Sequence, residues 1–151
     1  MKIKFIEYFM NVADLTADLS YANRLKVGAV IVKDRRILSV GYNGTPAGWD
    51  NGCEDEENTT KVEVIHAEAN ALMKLASTTD SSEGAVLFIT HAPCIHCAKL
   101  IYQSKVAQVI YKYPYRDDAG IDFLNTLGVG VFLYDDLIND RKCPGVIKDE
   151  G

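Results

Sequence analysis

Apolar and polar positions along the chain follow two different periods, and the switches between them mark out the elements. From Ile3 to about Leu19 the apolar residues are Ile3, Phe5, Ile6, Phe9, Met10, Ala13, Leu15, Ala17 and Leu19. Ile6, Met10 and Ala13 keep helical spacing, so this stretch predicts a helix. Val27-Gly28-Ala29-Val30-Ile31-Val32 is short, apolar and β-branched, Asp34-Arg35-Arg36 breaks it, and Ile37 to Tyr42 resumes extended character. That pattern predicts a β-hairpin. Asn43 to Gly48 is turn-rich, and Asp50 to Lys61 is polar and acidic, an exposed loop whose charge run reads as solvated surface. Further helices are expected over Val62–Ala76, over Cys94–Ser104 with Pro93 at or just before its first turn, and from a cap at Asp117 or Asp118 to Leu127. Strands are expected over Ala85–Thr90, Val106–Tyr111 and Val129–Tyr134. The tail from Leu137 to Gly151 is polar and reads as loosely held. The order α-β-β-α-β-α-β-α-β predicts an α/β fold with one mixed five-stranded sheet flanked by helices. It fits a single domain over 1–151 with a core from about 3 to 135.

Charge and cysteine usage narrow the classes of function. The net charge is −5, from 16 basic and 21 acidic residues. Nucleic-acid binders neutralise phosphates with Lys and Arg, so the balance favours a small substrate over a polymer. No apolar run approaches the roughly 20 residues of a membrane span, and Lys2, Lys4 and Glu7 interrupt any signal-peptide core. The four cysteines make no disulfide framework. That usage suits a reducing compartment, and a cytoplasmic location is expected.

The chemistry concentrates in two short motifs, His66-Ala67-Glu68 and Pro93-Cys94-Ile95-His96-Cys97. They supply three metal ligands, His66, Cys94 and Cys97, and one carboxylate outside the ligand set, Glu68. Catalytic zinc takes three protein ligands and leaves a fourth position to water, whose pKa falls to about 7. A carboxylate beside that water can shuttle protons. If His66 stands at a helix start, it escapes the wide angular separation that two positions impose inside a helix. Cys94 and Cys97, three apart in a helical turn, share a face. A closed structural zinc site would need a fourth protein ligand, and a redox CxxC would not explain His66 and Glu68. His91 and His96 flank the cysteines and read as polar neighbours rather than ligands. Asn70 shares a helical face with His66 and reads as a support for the site. Cys53 and Cys143 read as small buried or exposed thiols.

These motifs resemble the zinc-dependent cytidine deaminase superfamily, whose signature is H-x-E followed by P-C-x-x-C. Asn23 to Val32, the loop Gly41-Tyr42-Asn43-Gly44-Thr45-Pro46-Ala47-Gly48, His66 to Ala71 and Pro93 to Ile101 together resemble its deoxycytidylate (dCMP) deaminase branch. The resemblance runs in register from about Phe9 to Tyr134. It implies a three-layer α/β/α sandwich with the last strands parallel, and hydrolysis of dCMP to dUMP and ammonia for thymidylate synthesis. It implies Glu68 as proton shuttle and one catalytic Zn2+ per chain on His66, Cys94 and Cys97. By the same match Arg24 would meet the 5′-phosphate, Asn43 the deoxyribose, and Ala67 and Tyr115 the bound nucleotide, while Gly44, Thr45 and Pro46 belong to a candidate regulatory loop. The family is similar to a homohexamer activated by dCTP with Mg2+ and inhibited by dTTP. Some relatives carry a longer metal-binding insertion where this chain has only Asp50–Lys61, so a second zinc is not expected. The same zinc motif also serves tRNA or polynucleotide deaminases, deaminases of dCTP, free nucleosides or guanine, and non-catalytic zinc proteins. Net charge and the glycine loop argue against a polymer substrate, Arg24 argues for a phosphate, and the retained Glu68 argues for turnover.

Overall fold

The computed structural model describes residues 1–140, so Cys143 and the rest of the tail beyond Asp140 lie outside the described residues. Ten elements follow one another: α1 (Ile3–Ala17), β1 (Gly28–Lys33), β2 (Arg36–Tyr42), α2 (Ala67–Ala76), β3 (Val86–His91), α3 (Ile95–Gln103), β4 (Gln108–Tyr113), α4 (Ala119–Thr126), β5 (Gly130–Leu133) and α5 (Tyr134–Asp140). The strands form one sheet in the order β2-β1-β3-β4-β5. β1 runs antiparallel to both β2 and β3, whereas β3, β4 and β5 are parallel. The mixed five-stranded sheet is as the order of elements predicted, and the parallel last strands are as the family resemblance implied.

Both faces of the sheet are covered, which explains why β1 reads as a continuous apolar run rather than an alternating one. Ala29 and Ile31 point into one core with Leu87, Ile89 and Val109, beneath Ala71, Leu75, Ala98 and Ile101 of α2 and α3. Val30 and Val32 point the other way and meet Phe88, Ile110 and the Ile6, Phe9, Met10 and Ala13 face of α1. These two cores make the three layers.

Four expectations need correction. The helix expected from Val62 begins only at Ala67. Ile65 instead exchanges two backbone hydrogen bonds with Gly44, at 2.8 and 3.1 Å, in an isolated antiparallel bridge, and Val62 and Glu63 before it form a turn in which Val64 N–H donates to Lys61 O at 3.2 Å. The segment 50–61 is more than exposed loop. Cys53 is buried, Glu54 pairs with Thr60, and Lys61 N–H donates to Cys53 O at 2.8 Å. The tail expected to be loose from Leu137 holds a helix through Asp140, anchored by buried Leu137 against the α1 layer. The strand expected over Val106–Tyr111 is shifted two residues, to Gln108–Tyr113, because its parallel register with β3 runs on to the pair of His91 and Tyr113. Of the two cap candidates for α4, Asp117 accepts from Ala119 N–H at 3.0 Å, and Asp118 makes no side-chain cap bond. Among the described residues no helix is long and apolar enough to cross a membrane.

Candidate active site

Two helix N-termini converge at one place. His66 is the N-cap of α2, with ψ of 154°, and Cys94 is the N-cap of α3, with ψ of 168°. Extended backbone at both caps turns these side chains away from their helices and toward each other. Cys97 follows in the first turn of α3 and Glu68 in the first turn of α2, and both are buried. Cys97 Sγ lies 3.3 Å and Cys94 Sγ 3.7 Å from His66 Nδ1. The ligand atoms of all four residues lie within 4.8 Å of one another, the one such group among the described residues. Tetrahedral zinc with bonds of about 2.0–2.1 Å to nitrogen and 2.3 Å to sulfur has ligand–ligand edges of about 3.6 Å. The observed N–S distances fit that geometry, and a borderline-soft N/S donor set suits zinc over magnesium or calcium. His91 and His96 stand outside the cluster.

The electrostatics match this donor set. Hydrogen bonds from the Cys97 thiol and from His66 pull Cys94 down to about 3. Cys97 is raised by its bond to Cys94 and by burial. The hydrogen bond to Cys94 raises His66. The positive ends of two helices further favour thiolate. Burial raises the carboxyl of Glu68 above its ordinary value, as expected for a group that must both take and give a proton.

Two close backbone approaches set the positions of the halves. A Cβ at Gly41 of β2 would meet Ala67 O at 2.4 Å and Ala71 N at 2.5 Å, so only glycine lets the first turn of α2 lie against the strand. A Cβ at Gly120 of α4 would meet Pro93 O and Cys94 backbone atoms, so the start of α3 is set in the same way. Ser39 Oγ donates to Ala71 O at 2.7 Å, and Asn70 Nδ2 donates to Tyr42 O at 3.0 Å, fastening α2 to β2. Asn70 thus ties the helix that follows His66 to the edge of the sheet.

A cavity of about 660 Å³ opens on this cluster, within the range of small-ligand pockets. Glu68 and Ala67 form buried parts of its wall, and Arg24, Asn43 and Tyr115 line it too. The sequence-based residues therefore gather around one space, with two qualifications. Asn43 already uses its amide on the backbone: Oδ1 accepts from Val27 N–H and Nδ2 donates to Leu25 O, both at 2.8 Å. One lone pair and one N–H remain for a ligand. Gly44, Thr45 and Pro46 do not line the cavity. Gly44 bridges to Ile65, Thr45 Oγ1 donates to Asp50 O, and Pro46 O accepts from Trp49 N–H.

Sequence reasoning gave three other cavity residues too little weight. His91 packs its ring against Tyr113 and Tyr115, at 5.3 and 6.1 Å between centroids, and burial lowers its pKa. Arg116, at φ 52°, sets its guanidinium 5.1 Å from the centre of the Tyr115 ring on the cavity wall. Glu54 belongs to the acidic run assigned to solvent, yet it lines the cavity and binds the Asn23–Arg24 backbone. No local pattern announces a contact made across 30 residues of chain.

Known proteins are similar to this chain in sequence and in fold. Residues 3–113 match the family model of the cytidine and deoxycytidylate deaminase zinc-binding region. A deoxycytidylate deaminase of Mycobacterium phage D29 is 39% identical over 120 residues, covering 70% of this chain and 91% of that protein. ComE operon protein 2 of Bacillus subtilis is 38% identical over 119 residues, covering 76% of this chain but only 62% of the longer Bacillus protein. The crystal structure of the dCMP deaminase of cyanophage S-TIM5, in complex with dCMP and dUMP, superposes with a TM-score of 0.85 at 46% identity, over 87% of this chain and 97% of that one. A family model spanning most of the chain, joined to a clustered His66, Glu68, Cys94 and Cys97, places the chain in the cytidine and deoxycytidylate deaminase family.

Proposed function

We propose that this chain hydrolyses dCMP to dUMP and ammonia. The observation that carries the reading is one cavity with a His-Cys-Cys cluster and a buried carboxyl in its wall and two exposed guanidinium groups, Arg24 and Arg116, beside them. The similarity to a cyanophage enzyme crystallised with dCMP and dUMP supports the same substrate.

His66 Nδ1, Cys94 Sγ and Cys97 Sγ would hold zinc, which when bound supplies a water molecule ionised near neutral pH. The Glu68 carboxylate takes a proton from the attacking water as its oxygen adds to C4 of the cytosine ring. Glu68 passes that proton to N3, takes the second proton from the hydroxyl now on C4, and delivers it to the exocyclic nitrogen as the C4–N bond breaks, the C4 carbonyl forms and ammonia leaves. The overall balance is dCMP and water to dUMP and ammonia. The raised pKa of Glu68 suits both transfers. Arg24 grips the 5′-phosphate, where a guanidinium fork matches phosphate oxygens. The remaining amide capacity of Asn43 meets the sugar, Ala67 gives the pyrimidine a small flat wall, and Tyr115 covers the nucleotide.

The reading extends to a cytoplasmic homohexamer that supplies dUMP for thymidylate synthesis, activated by dCTP with Mg2+ and inhibited by dTTP. The test is ammonia release from dCMP, dCTP, CMP, deoxycytidine and a cytosine oligonucleotide, each with and without dCTP and dTTP, with the oligomer sized in parallel. We expect dCMP to be the best substrate and deoxycytidine a trace one. Equal use of deoxycytidine, or preference for dCTP or the oligonucleotide, contradicts the proposal.

A further inference from the structure

We propose that Glu54 is a positioning residue for phosphate recognition: it holds the backbone of Asn23 and Arg24 so that the Arg24 guanidinium is set in place before the nucleotide arrives. The inference rests on the dCMP reading above and adds a residue to it.

Glu54 Oε1 accepts from Asn23 N–H at 2.9 Å and from Arg24 N–H at 3.1 Å. Neither amide belongs to a helix or strand, because Asn23 and Arg24 lie in the connection between α1 and β1. One carboxylate oxygen thus accepts two successive amides, a charge-assisted arrangement roughly twice as strong per bond as a neutral one. Its neighbours in the acidic run do not share the task. Asp55 turns its Oδ1 to Glu57 N–H and Thr59 N–H within its own loop, and Glu56 and Glu57 are exposed.

The loop that carries Glu54 is itself braced. Glu54 and Thr60 form a bridge, Asp55 N–H donates to Thr59 O at 2.9 Å, Lys61 N–H donates to Cys53 O at 2.8 Å, and Cys53 is buried. On its other side the Arg24 connection is fixed by Asn43, which bonds Leu25 O and Val27 N–H, and by Ser20 Oγ, which donates to Asn43 O at 2.7 Å. Arg24 stands between these two clamps. Asn43 and Ser20 also support the start of β1, whereas the two Glu54 bonds reach only the residues that carry and precede the guanidinium. Arg24 is exposed, and a long exposed side chain loses rotamer and backbone freedom on binding unless its backbone is already held. Removing the Glu54 carboxylate therefore removes preorganisation rather than a contact with the nucleotide.

The experiment is a double-mutant cycle of Glu54→Ala and Arg24→Ala, with Glu54→Gln as the conservative variant and Glu56→Ala as a control, read as kcat and KM for dCMP, the dCMP to deoxycytidine ratio of kcat/KM, and the melting temperature. With Arg24 in place, Glu54→Ala should lower kcat/KM for dCMP about tenfold, mostly through KM, and lower the substrate ratio by about the same factor. Glu54→Gln should recover part of the loss, because its amide oxygen still accepts. In the Arg24→Ala background Glu54→Ala should have almost no further effect. An undiminished Glu54→Ala enzyme, an equal loss in both Arg24 backgrounds, or a loss tracking a lowered melting temperature without a change in substrate ratio overturns the inference. Wild-type protein that releases no ammonia from dCMP overturns the functional reading itself, and the inference falls with it.

Discussion

Gly41→Ala tests how the sheet positions the chemistry. The added methyl carbon would stand 2.4 Å from Ala67 O, 2.5 Å from Ala71 N and 3.0 Å from Ala71 Cα. Carbon contacts settle near about 3.5–4.0 Å, so α2 must withdraw from β2 by roughly 1 Å. The atoms in the way are helix backbone, which cannot swing aside as a side chain can. Overpacking of this kind costs about 1–3 kcal/mol, or roughly 2–12 °C in melting temperature for a chain of this size. The displaced turn carries His66 and Glu68 while Cys94 and Cys97 stay with α3, so the two halves of the cluster part. A misplacement of about 1 Å in a reacting constellation costs on the order of 10² in rate. The assays are thermal unfolding, zinc per chain after dialysis, and kcat/KM for dCMP. Gly44→Ala is the stability control, since its Cβ would meet nothing closer than 3.8 Å. A Gly41→Ala protein with unchanged melting temperature, zinc content and turnover would refute the reasoning.

Other predictions follow from the same geometry. Cys94→Ser or Cys97→Ser should lose zinc on dialysis, because a hydroxyl is a much poorer zinc ligand than a thiolate; metal analysis showing full zinc in either variant contradicts the ligand set. His91 has its pKa lowered by burial in the folded state, so the unfolded chain binds the proton first as pH falls. Its contribution to stability is complete above the unfolded value of about 6.5 and is lost as pH drops through the folded one. The melting temperature of His91→Leu should therefore fall less between about pH 7 and pH 5 than that of wild type, and parallel curves would contradict this.

How far the fold could be read in advance depended on how local its causes are. The hairpin, α1 and the parallel strands announce themselves through short apolar runs and a helical stripe whose burial the structure reproduces, as with Ile6, Met10 and Ala13. The start of α2 did not, because Val62, Ile65, Ala69 and Leu72 keep helical spacing while a bridge to Gly44 takes Ile65 out of the helix. Helix α5 was hidden by the polar residues around Leu137, though Tyr134, Leu137 and Ile138 keep a one-turn spacing that packs on the α1 layer. The metal cluster was the most legible part of the site, since two short motifs specify it and the fold needs only to bring two helix ends together. The cavity wall was less so. The two backbone bonds that the Asn43 amide makes, to Leu25 and Val27, have no local signal in the sequence. Glu54 looked like one more solvated acid, because its partners Asn23 and Arg24 are neighbours only after folding.

One preparation of Glu68→Gln, measured for zinc per chain and for dCMP turnover, decides whether Glu68 moves the protons while His66, Cys94 and Cys97 hold the metal. With those roles the variant keeps one zinc per chain and a melting temperature near wild type, and its kcat falls by about 10² to 10⁴. Normal turnover of dCMP, or loss of zinc together with the carboxylate, would contradict those roles.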